Sequence, residues 1–346
     1  MFFMLQKYKS MFKDKTILIT GGSGSWGREL TRQLLEFKPK EIIIFSRGEI
    51  SQVAMEREFN DSRITYVIGD IRDATAVDRV MSRGVDFVYQ LAALKHVPIC
   101  ENHPQEAILT NIKGMGNVIE SAINHKVEKF IDVSTDKAVD PINTYGLTKA
   151  VGEKLTIQAN CRTKDTEFIC IRGGNVIGTN GSVIPYIINQ IKSTNKVTIT
   201  DDRMTRFFLT LPQAIQLLFK ATEFGVGGET YVMNMPSFYI KDLIELLVDY
   251  FGDKDTQIET IGAREGEKLH EVLISDHERP RARYVNDDYW VIYPQLQVCR
   301  FPDHIWDYPE MQGPALGSAL SSQTNLKDKS VLLQMLLNSG FLKNRG

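Results

Sequence analysis

The sequence lacks the features that mark several large classes of protein. Its 346 residues include only four cysteines, which form neither a CxxC pair nor a His/Cys spacing typical of a metal site. A formal net charge of −2 gives no basic surface for nucleic acid or an anionic membrane. No apolar run reaches the roughly 18 residues that span a bilayer. We therefore expect a cytoplasmic protein with reduced thiols, with no metal and with neither nucleic acid nor membrane as a partner.

Short apolar runs rich in β-branched residues alternate with segments of helix length. The predicted strands are Thr16–Thr20, Glu41–Phe45, Ile64–Ile68, Val85–Leu91, Lys129–Val133 and Glu167–Ile171. Predicted helices include Arg28–Phe37, Glu106–Asn124 and, near the C terminus, Lys327–Leu337. This alternation is typical of a parallel sheet covered on both faces. It predicts an α/β fold, a Rossmann-like doubly wound parallel sheet with a smaller C-terminal substrate-binding domain.

The alternation ends near residue 178, where loops rich in Gly, Pro and polar residues become denser. We predict a nucleotide-binding Rossmann domain over residues 11–178, with return segments near 205–235. The rest of the chain, 179–346, would be mainly the substrate-binding domain and a C-terminal extension. Residues 1–10 are interpreted as a terminal tail.

A glycine-rich loop follows the first predicted strand and precedes a helix. Glycines at 21, 24 and 27 allow a tight turn and let the backbone approach a pyrophosphate, whose charge a helix N-terminus favours. The second strand ends at Ser46 and Arg47, and an arginine there accommodates a 2′-phosphate, so we predict NADP. The residues predicted to contact it are Gly21, Ser23, Gly24, Ser25, Trp26, Gly27, Ser46, Arg47, Asp70, Ile71, Leu91, Ala92, Ala93, Lys95, Asn111, Tyr145 and Lys149.

The stretch after the fifth predicted strand contains the candidate catalytic residues. Tyr145 and Lys149 are four residues apart and share one face of a helix. The ammonium would lower the pKa of the phenol and make it a base for an alcohol proton. Thr135 lies upstream. Asp136 and Lys137 add a second acid and a second amine, which alcohol oxidation alone does not need, and this addition suggests elimination of water.

These motifs resemble an extended short-chain dehydrogenase/reductase and, more closely, the UDP-N-acetylglucosamine 4,6-dehydratases. The resemblance covers residues 11–294 and weakens beyond 295. Besides the glycine loop and the Thr/Tyr/Lys set, it includes the stretches AALKHVP at 92–98, STDKA at 134–138, PIN at 141–143, MTRF at 204–207 and GEKLHE at 266–271. Tyr145 resembles the inverting, flagellin-sugar type. Configuration-retaining members tend to have methionine there, although some capsule-type inverting relatives do too.

The resemblance implies a reaction and a role for each residue. Tyr145 would remove the proton of the sugar's 4-hydroxyl, with Lys149 keeping it acidic and Thr135 orienting the hydroxyl. Lys137, its pKa lowered by burial and by Lys149, would take the proton from carbon 5, and a protonated Asp136 would release the 6-hydroxyl as water. Hydride return to carbon 6 and proton return on the opposite face give the 4-keto-6-deoxy-L-arabino sugar. Tightly bound NADP is regenerated at each turnover.

The resemblance also implies contacts with the substrate, UDP-N-acetylglucosamine. The candidate substrate-binding residues are Lys95, His96, Asn175, Arg206, Arg264 and Glu267. An arginine's fork of donors suits diphosphate oxygens, and Glu267 would take the uridine ribose. The resemblance further implies a homo-oligomer, a dimer or a hexamer, and a role in making a surface sugar such as pseudaminic acid.

Three alternatives stay open on the sequence alone. A 4-epimerase acting on the same nucleotide sugar would leave Asp136 and Lys137 without a role. A truncated form of the dehydratase, in which hydride returns to carbon 4, would release the 5,6-ene sugar. A non-catalytic NADP sensor would have lost Tyr145 or Lys149, and both are present.

Overall fold

The computed structural model describes residues 8–179, 182–262, 264–286, 289–294 and 314–342. The strands are β1 Thr16–Thr20, β2 Glu41–Ser46, β3 Ile64–Ile68, β4 Phe87–Gln90, β5 Lys129–Thr135, β6 Glu167–Gly173, β7 Asn175–Val176, β8 Lys196–Ile199, β9 Thr205–Leu209, β10 Thr230–Met233, β11 Ser237–Tyr239, β12 Gln257–Thr260, β13 Val272–Ile274, β14 Ala282–Asn286, β15 Tyr289–Ile292 and β16 Leu320–Ser321.

The helices are α1 Ser25–Leu35, α2 Glu49–Phe59, α3 Ala74–Met81, α4 Val97–Asn102, α5 Pro104–Ile108, α6 Met115–Asn124, α7 Thr144–Ala159, α8 Val183–Thr194, α9 Leu211–Phe224, α10 Ile240–Phe251 and α11 Lys329–Asn338. Residues 8–12 are also helical. A π-helical turn spans Leu109–Gly114, and 3₁₀ turns span Asp136–Ala138 and Arg279–Arg281.

A nine-stranded sheet forms the centre of the fold, in the order β14-β15-β10-β6-β5-β4-β1-β2-β3. Every pairing from β3 to β10 is parallel, whereas β15 joins β10 antiparallel and β14 joins β15 antiparallel. The side chains of β1 alternate between two apolar cores, with Ile17 and Ile19 on one face and Leu18 on the other, because successive strand residues point to opposite faces. The predicted Rossmann-like α/β fold is confirmed.

The six predicted strands are all present, with differences at their ends. The fifth and sixth are longer than predicted because β5 and β6 stay paired as far as Thr135 and Gly173. The fourth is shorter, since its pairing with β1 covers only Phe87 to Gln90. The long predicted helix at 106–124 is three helical segments, with the π-helical turn in the middle.

The part of the chain after residue 178 contributes to both regions of the molecule. Strands β10, β14 and β15 extend the large sheet, while smaller sheets have the orders β11-β9-β7, β12-β8 and β13-β16. A third apolar core lies among α8, α10 and α11 and includes Leu332 and Leu336. The division of the chain into domains at residue 178 remains a prediction.

Two expectations about the chain as a whole need correction. Tyr8, expected in a terminal tail, is buried and lies 5.3 Å from Phe219, ring centroid to ring centroid; residues 1–7 lie outside the described ranges. Cys100 and Cys170 are free and buried, but Cys161 is disulfide-bonded, so the thiols are not all reduced. Among the described residues, no helix is long and apolar enough to cross a bilayer, and no cluster of metal-ligating side chains occurs.

Candidate active site

A cleft of about 870 Å³ opens at the carboxyl ends of the parallel strands. It lies where the strand order reverses, since β1 has β2 on one side and β4 on the other. Open α/β sheets bind their ligands at such a switch point. Residues from both parts of the chain line the cleft, from Gly21 in the first loop to Phe208 on β9.

The glycine loop forms one end of this cleft. Gly21 has φ +64, and a Cβ there would lie 2.9 Å from the backbone of Ala92. At Gly27 a Cβ would lie 2.1 Å from the carbonyl oxygen of Gly22, so α1 could not pack against the loop. No side chain caps the N-terminus of α1. A helix N-terminus at the glycine loop is a position that a pyrophosphate favours.

The end of β2 lies beside this loop. Ser46 Oγ is 3.0 Å from Ser23 Oγ and accepts a hydrogen bond from Gln52 at 2.9 Å. The half-exposed guanidinium of Arg47 lies 3.8 Å from a carboxylate oxygen of Asp70. Both Ser46 and Arg47 line the cleft. An arginine in this place can reach a ribose phosphate, although Asp70 competes for its charge.

Every residue predicted to contact the cofactor lines the cleft except Asn111. Asn111 is buried in the π-helical turn, where it accepts a hydrogen bond from the Leu94 amide and donates one to the Leu94 carbonyl. It also donates to Thr148 Oγ1 at 2.9 Å. Asn111 therefore holds the loop after β4 against α7 rather than facing the cleft.

The N-terminus of α7 fixes the predicted Tyr/Lys pair. Asn143 caps this helix by accepting a hydrogen bond from the Gly146 amide at 2.8 Å. Tyr145 and Lys149 lie one turn apart and both line the cleft, together with Thr135 from the end of β5. The structure therefore brings the three residues together as the sequence predicts.

The electrostatics of this pair differ from the sequence prediction. Burial raises the pKa of Tyr145, and the opposing effects of Lys149 and Lys137 do not overcome it. The predicted effect of Lys149 is present, but burial outweighs it, so the pKa of Tyr145 is raised rather than lowered. Burial alone would lower the pKa of Lys149, but Asp132 and Tyr145 raise it above its usual value. Lys149 thus keeps its proton and stays positive beside the phenol.

Asp132 is a site residue that the sequence analysis missed. It is fully buried in β5, and its Oδ1 accepts a hydrogen bond from Lys149 Nζ at 3.1 Å. Its Oδ2 has no hydrogen-bond partner among the described residues. Burial raises the pKa of this carboxyl despite Lys149. The sequence does contain one sign of this role. Asp132 is a single acid inside an apolar strand, and a buried charge needs a partner.

Asp136 and Lys137 lie in the 3₁₀ turn directly after β5. Asp136 is fully buried, and its Oδ1 accepts hydrogen bonds from Thr135 Oγ1 at 2.9 Å and from Lys137 Nζ at 3.1 Å. Lys137 Nζ also lies 3.4 Å from Glu271 Oε1. Lys137 lines the cleft, whereas Asp136 lies behind it.

The predicted lowering of the pKa of Lys137 is also wrong. Burial would lower this pKa, but Asp136 and Glu271 together raise it well above its usual value, against the effect of Arg206. In the sequence, Lys149 is the basic residue expected beside Lys137. In the structure the nearest charges are two carboxylates, which favour the protonated amine.

The candidate substrate residues fall into two groups. Lys95, His96 and Asn175 line the cleft. The other three do not. Arg206 is buried, donates hydrogen bonds to the carbonyls of Thr205 and Leu269, and pairs with Glu267 at 3.6 Å. Arg264 is exposed and lies three residues before Glu267 in the sequence. Their roles stay predictions.

Several residues that line the cleft carried no recognisable motif in the sequence. They are Thr110, Thr179, Ser182, Val183, Ile184 and Phe208. Four of them lie at the start of α8 or shortly before it, where apolar residues could equally have been core. Sequence periodicity does not distinguish an apolar residue in a cleft wall from one in a core.

Comparison with known proteins supports the resemblance. The family described as polysaccharide biosynthesis protein matches residues 17–293. The chain is 42% identical over 292 residues to a Campylobacter jejuni protein named UDP-N-acetylglucosamine 4,6-dehydratase (inverting), covering 83% of this chain and 85% of that protein. It is 45% identical over 285 residues to a Rickettsia massiliae protein named UDP-glucose 4-epimerase, covering 81% and 83%.

A solved structure extends this comparison to three dimensions. Pen from Bacillus thuringiensis superposes with a TM-score of 0.88 at 39% sequence identity, and the match covers 96% of this chain and 99% of that chain. The likeness therefore includes the smaller region after residue 178 as well as the large sheet.

Proposed function

Because the chain belongs to the polysaccharide biosynthesis protein family, within the extended short-chain dehydrogenase/reductase superfamily, we propose that it is an inverting UDP-N-acetylglucosamine 4,6-dehydratase, a hydro-lyase. The reaction oxidises carbon 4, removes water across carbons 5 and 6, and returns hydride to carbon 6. The product is UDP-2-acetamido-2,6-dideoxy-L-arabino-hexos-4-ulose. One observation carries the proposal: Thr135, Tyr145, Lys149 and Lys137 line the same cleft, with Asp136 directly behind them.

The cleft fits a dinucleotide at its other end. The loop at Gly21 and Gly27 has no room for a side chain, and α1 begins there without a side-chain cap. We propose that the cofactor is NADP, tightly held, with Ser46 and Arg47 against its 2′-phosphate. Bound there, the nicotinamide group supplies a hydride acceptor and donor.

Residues on α7 and β5 would carry out the oxidation of carbon 4, and we call this part of the cleft the oxidation end. Tyr145 takes the proton of the sugar's 4-hydroxyl, and Thr135 orients that hydroxyl. Because burial raises the pKa of Tyr145, the phenolate depends on the neighbouring Lys149 ammonium. Asp132 keeps Lys149 in place and charged, since the two form a buried ion pair.

Residues of the turn after β5 would carry out the loss of water, and we call this part of the cleft the dehydration end. Lys137 takes the proton of carbon 5 and passes a proton to Asp136, 3.1 Å away, and Asp136 gives it to the departing 6-hydroxyl. Because Asp136 and Glu271 raise the pKa of Lys137 and keep the amine protonated, it becomes a base only after passing a proton to a neighbouring carboxylate. This requirement replaces the lowered pKa that the sequence suggested.

Finer proposals go with this function and rest on the family resemblance. The substrate-binding residues would be Lys95, His96, Asn175, Arg206, Arg264 and Glu267. The enzyme would work in the cytoplasm as a homo-oligomer, a dimer or a hexamer. Its product would enter the synthesis of pseudaminic acid or a related surface sugar.

Product analysis tests the proposed function. The purified protein is incubated with UDP-N-acetylglucosamine without added cofactor, and the nucleotide sugar is followed by mass spectrometry and proton NMR. The proposal expects loss of the mass of one water and a new methyl doublet with L-arabino couplings. Unchanged mass with galacto couplings would reject it.

Two variants of the function give different products in the same experiment. A 4-epimerase is favoured by the 45% identity to the protein that carries that name, and it would change neither mass nor methyl content. Release of the 5,6-ene would give the mass loss with a vinyl signal in place of the methyl doublet. Asp136 and Lys137 have a role only in the two dehydrating reactions.

A further inference from the structure

Glu271 lies at the dehydration end of the cleft and has no role in the proposed reaction so far. It directly precedes β13 and is 2% exposed. Its Oε1 lies 3.4 Å from Lys137 Nζ and 3.8 Å from Arg206 Nε. Its Oε2 is buried and has no hydrogen-bond partner in the described part of the chain. A buried carboxylate with one free oxygen beside a reactive amine can still accept a proton.

The segment that carries Glu271 is held against the turn that carries Lys137. Asn143 donates a hydrogen bond to the Gly266 carbonyl at 2.8 Å, and Lys268 Nζ donates to the Val139 carbonyl at 2.6 Å. The Glu271 amide donates to Ser322 Oγ at 2.9 Å. These contacts fix the Glu271 carboxylate relative to Lys137 although the two residues are far apart in the sequence.

Four charged groups meet at this point, with Tyr145 facing them from α7. Asp136 and Glu271 carry negative charge, while Lys137 and Arg206 carry positive charge. The buried charges balance, which is the condition under which such groups are stable in a protein interior. Removing the Glu271 charge leaves Lys137 with one carboxylate and a repelling guanidinium, so its proton is held less tightly.

We propose that Glu271 is a positioning residue for the dehydration step: its carboxylate holds the Lys137 amine at the cleft wall and accepts one of its protons when the amine acts at carbon 5. The N–H bond of the ammonium breaks and an O–H bond forms on Glu271, leaving a neutral amine beside a carboxylic acid. The amine lone pair then takes the proton of carbon 5 and passes a proton through Asp136 to the departing hydroxyl. Glu271 afterwards returns its proton to the amine, and carbon 5 receives its new proton on the opposite face, as inversion requires. This inference rests on the proposed function.

The first test measures the proton affinity of Lys137 without any substrate. Lys137 lines the cleft with its side chain 23% exposed, so acetic anhydride can reach it. Its acetylation is followed by peptide mass spectrometry across a range of pH. In Glu271→Gln the rate at neutral pH is expected to rise about tenfold, which corresponds to one pKa unit.

Two further variants control this test. Glu265→Gln removes an exposed carboxylate from the same segment of the chain, and it should leave the rate unchanged. Glu271→Asp keeps the charge and should keep acetylation slow, which guards against a fold defect in the glutamine variant. Equal rates in Glu271→Gln and the parent protein would overturn the proposal.

The second test follows deuterium entry at carbon 5 of UDP-N-acetylglucosamine as a function of pH. In Glu271→Gln the alkaline rise of this rate should begin about one pH unit lower, while oxidation at carbon 4 is unchanged. A purely structural role would lower the rate at every pH without moving the rise, and that result counts against the proposal. If the parent protein incorporates no deuterium at any pH, the proposed function fails, and acetylation still decides whether Glu271 holds Lys137.

Discussion

Two lysines that line the cleft, Lys149 and Lys137, differ in their surroundings. In the described part of the chain, Lys149 has one carboxylate partner, Asp132, and both residues lie within the first 178 residues. Lys137 has two, Asp136 from its own turn and Glu271 from the segment before β13. The oxidation end is therefore complete within the large sheet, whereas the dehydration end needs both regions of the chain. We infer that the two half-reactions can be separated by mutation.

The largest expected effect comes from Tyr145→Phe, which removes the proposed base of the oxidation end. Oxidation at carbon 4 should fall about 10³-fold, and deuterium entry at carbon 5 should fall with it, because that proton is acidic only beside a ketone. Single-turnover absorbance of reduced nicotinamide measures the first step. Tyr239→Phe, at an exposed tyrosine, is the matched control and should be normal.

Asp136→Asn should separate the oxidation of carbon 4 from the loss of water. Oxidation at carbon 4 continues, because Tyr145 and Lys149 are untouched, while water loss slows about 10²-fold. Reduced nicotinamide should then accumulate and the methyl signal should appear slowly. Asp140→Asn, at an exposed residue with φ +44 that asparagine tolerates, is the control. Unchanged water loss in Asp136→Asn would remove this residue from the mechanism.

Asp132→Asn tests the oxidation end through its buried partner. Since the carboxylate raises the pKa of Lys149, its loss lowers that pKa, and the ammonium is lost at a lower pH on the alkaline side. The alkaline decline of carbon-4 oxidation should therefore begin about one pH unit earlier. The pH dependence of carbon-5 exchange, measured on a substrate already oxidised at carbon 4, should stay the same. A shift in both profiles would show that the two ends are coupled.

Arg47→Ala has the smallest expected effect. The guanidinium is half-exposed and shared with Asp70, so its contact with a 2′-phosphate should be worth about 1 kcal/mol, or roughly fivefold in affinity. Titration of the cofactor-free protein with NADP and with NAD measures the preference. Weaker NADP binding with unchanged NAD binding is expected. An equal loss for both would assign Arg47 a role outside phosphate recognition.

The sequence predicted what local patterns encode. Apolar β-branched runs located six strands of the large sheet, and the spacing of Tyr145 and Lys149 placed both on one helix face. The signs of the pKa shifts at Tyr145 and Lys137 were not predictable, because they depend on the burial of the phenol and on the carboxylates of Asp136 and Glu271 beside Lys137. No local sequence pattern shows how deeply a side chain is buried. Nor does one show that an acid more than a hundred residues away in the sequence, such as Glu271, lies beside Lys137.

The return of the chain to the large sheet was predicted only in part. The segment near 205–235 contains β10, which pairs with β6, but nothing indicated that β14 and β15 would extend the same edge. Both are short, and antiparallel pairing at a sheet edge requires only a hairpin rather than a crossover helix. The alternation of strands and helices along the sequence therefore predicts the parallel strands of the sheet but not the antiparallel strands at its edge.

One measurement tests most directly whether both ends of the cleft act on one sugar. The purified protein is incubated with UDP-N-acetylglucosamine in deuterated water, and proton NMR is recorded over time. We predict a methyl signal with L-arabino couplings in which deuterium has replaced the proton at carbon 5. A galacto-configured sugar without deuterium would contradict the account, because such a product needs only the oxidation and reduction of carbon 4 by Tyr145 and Lys149.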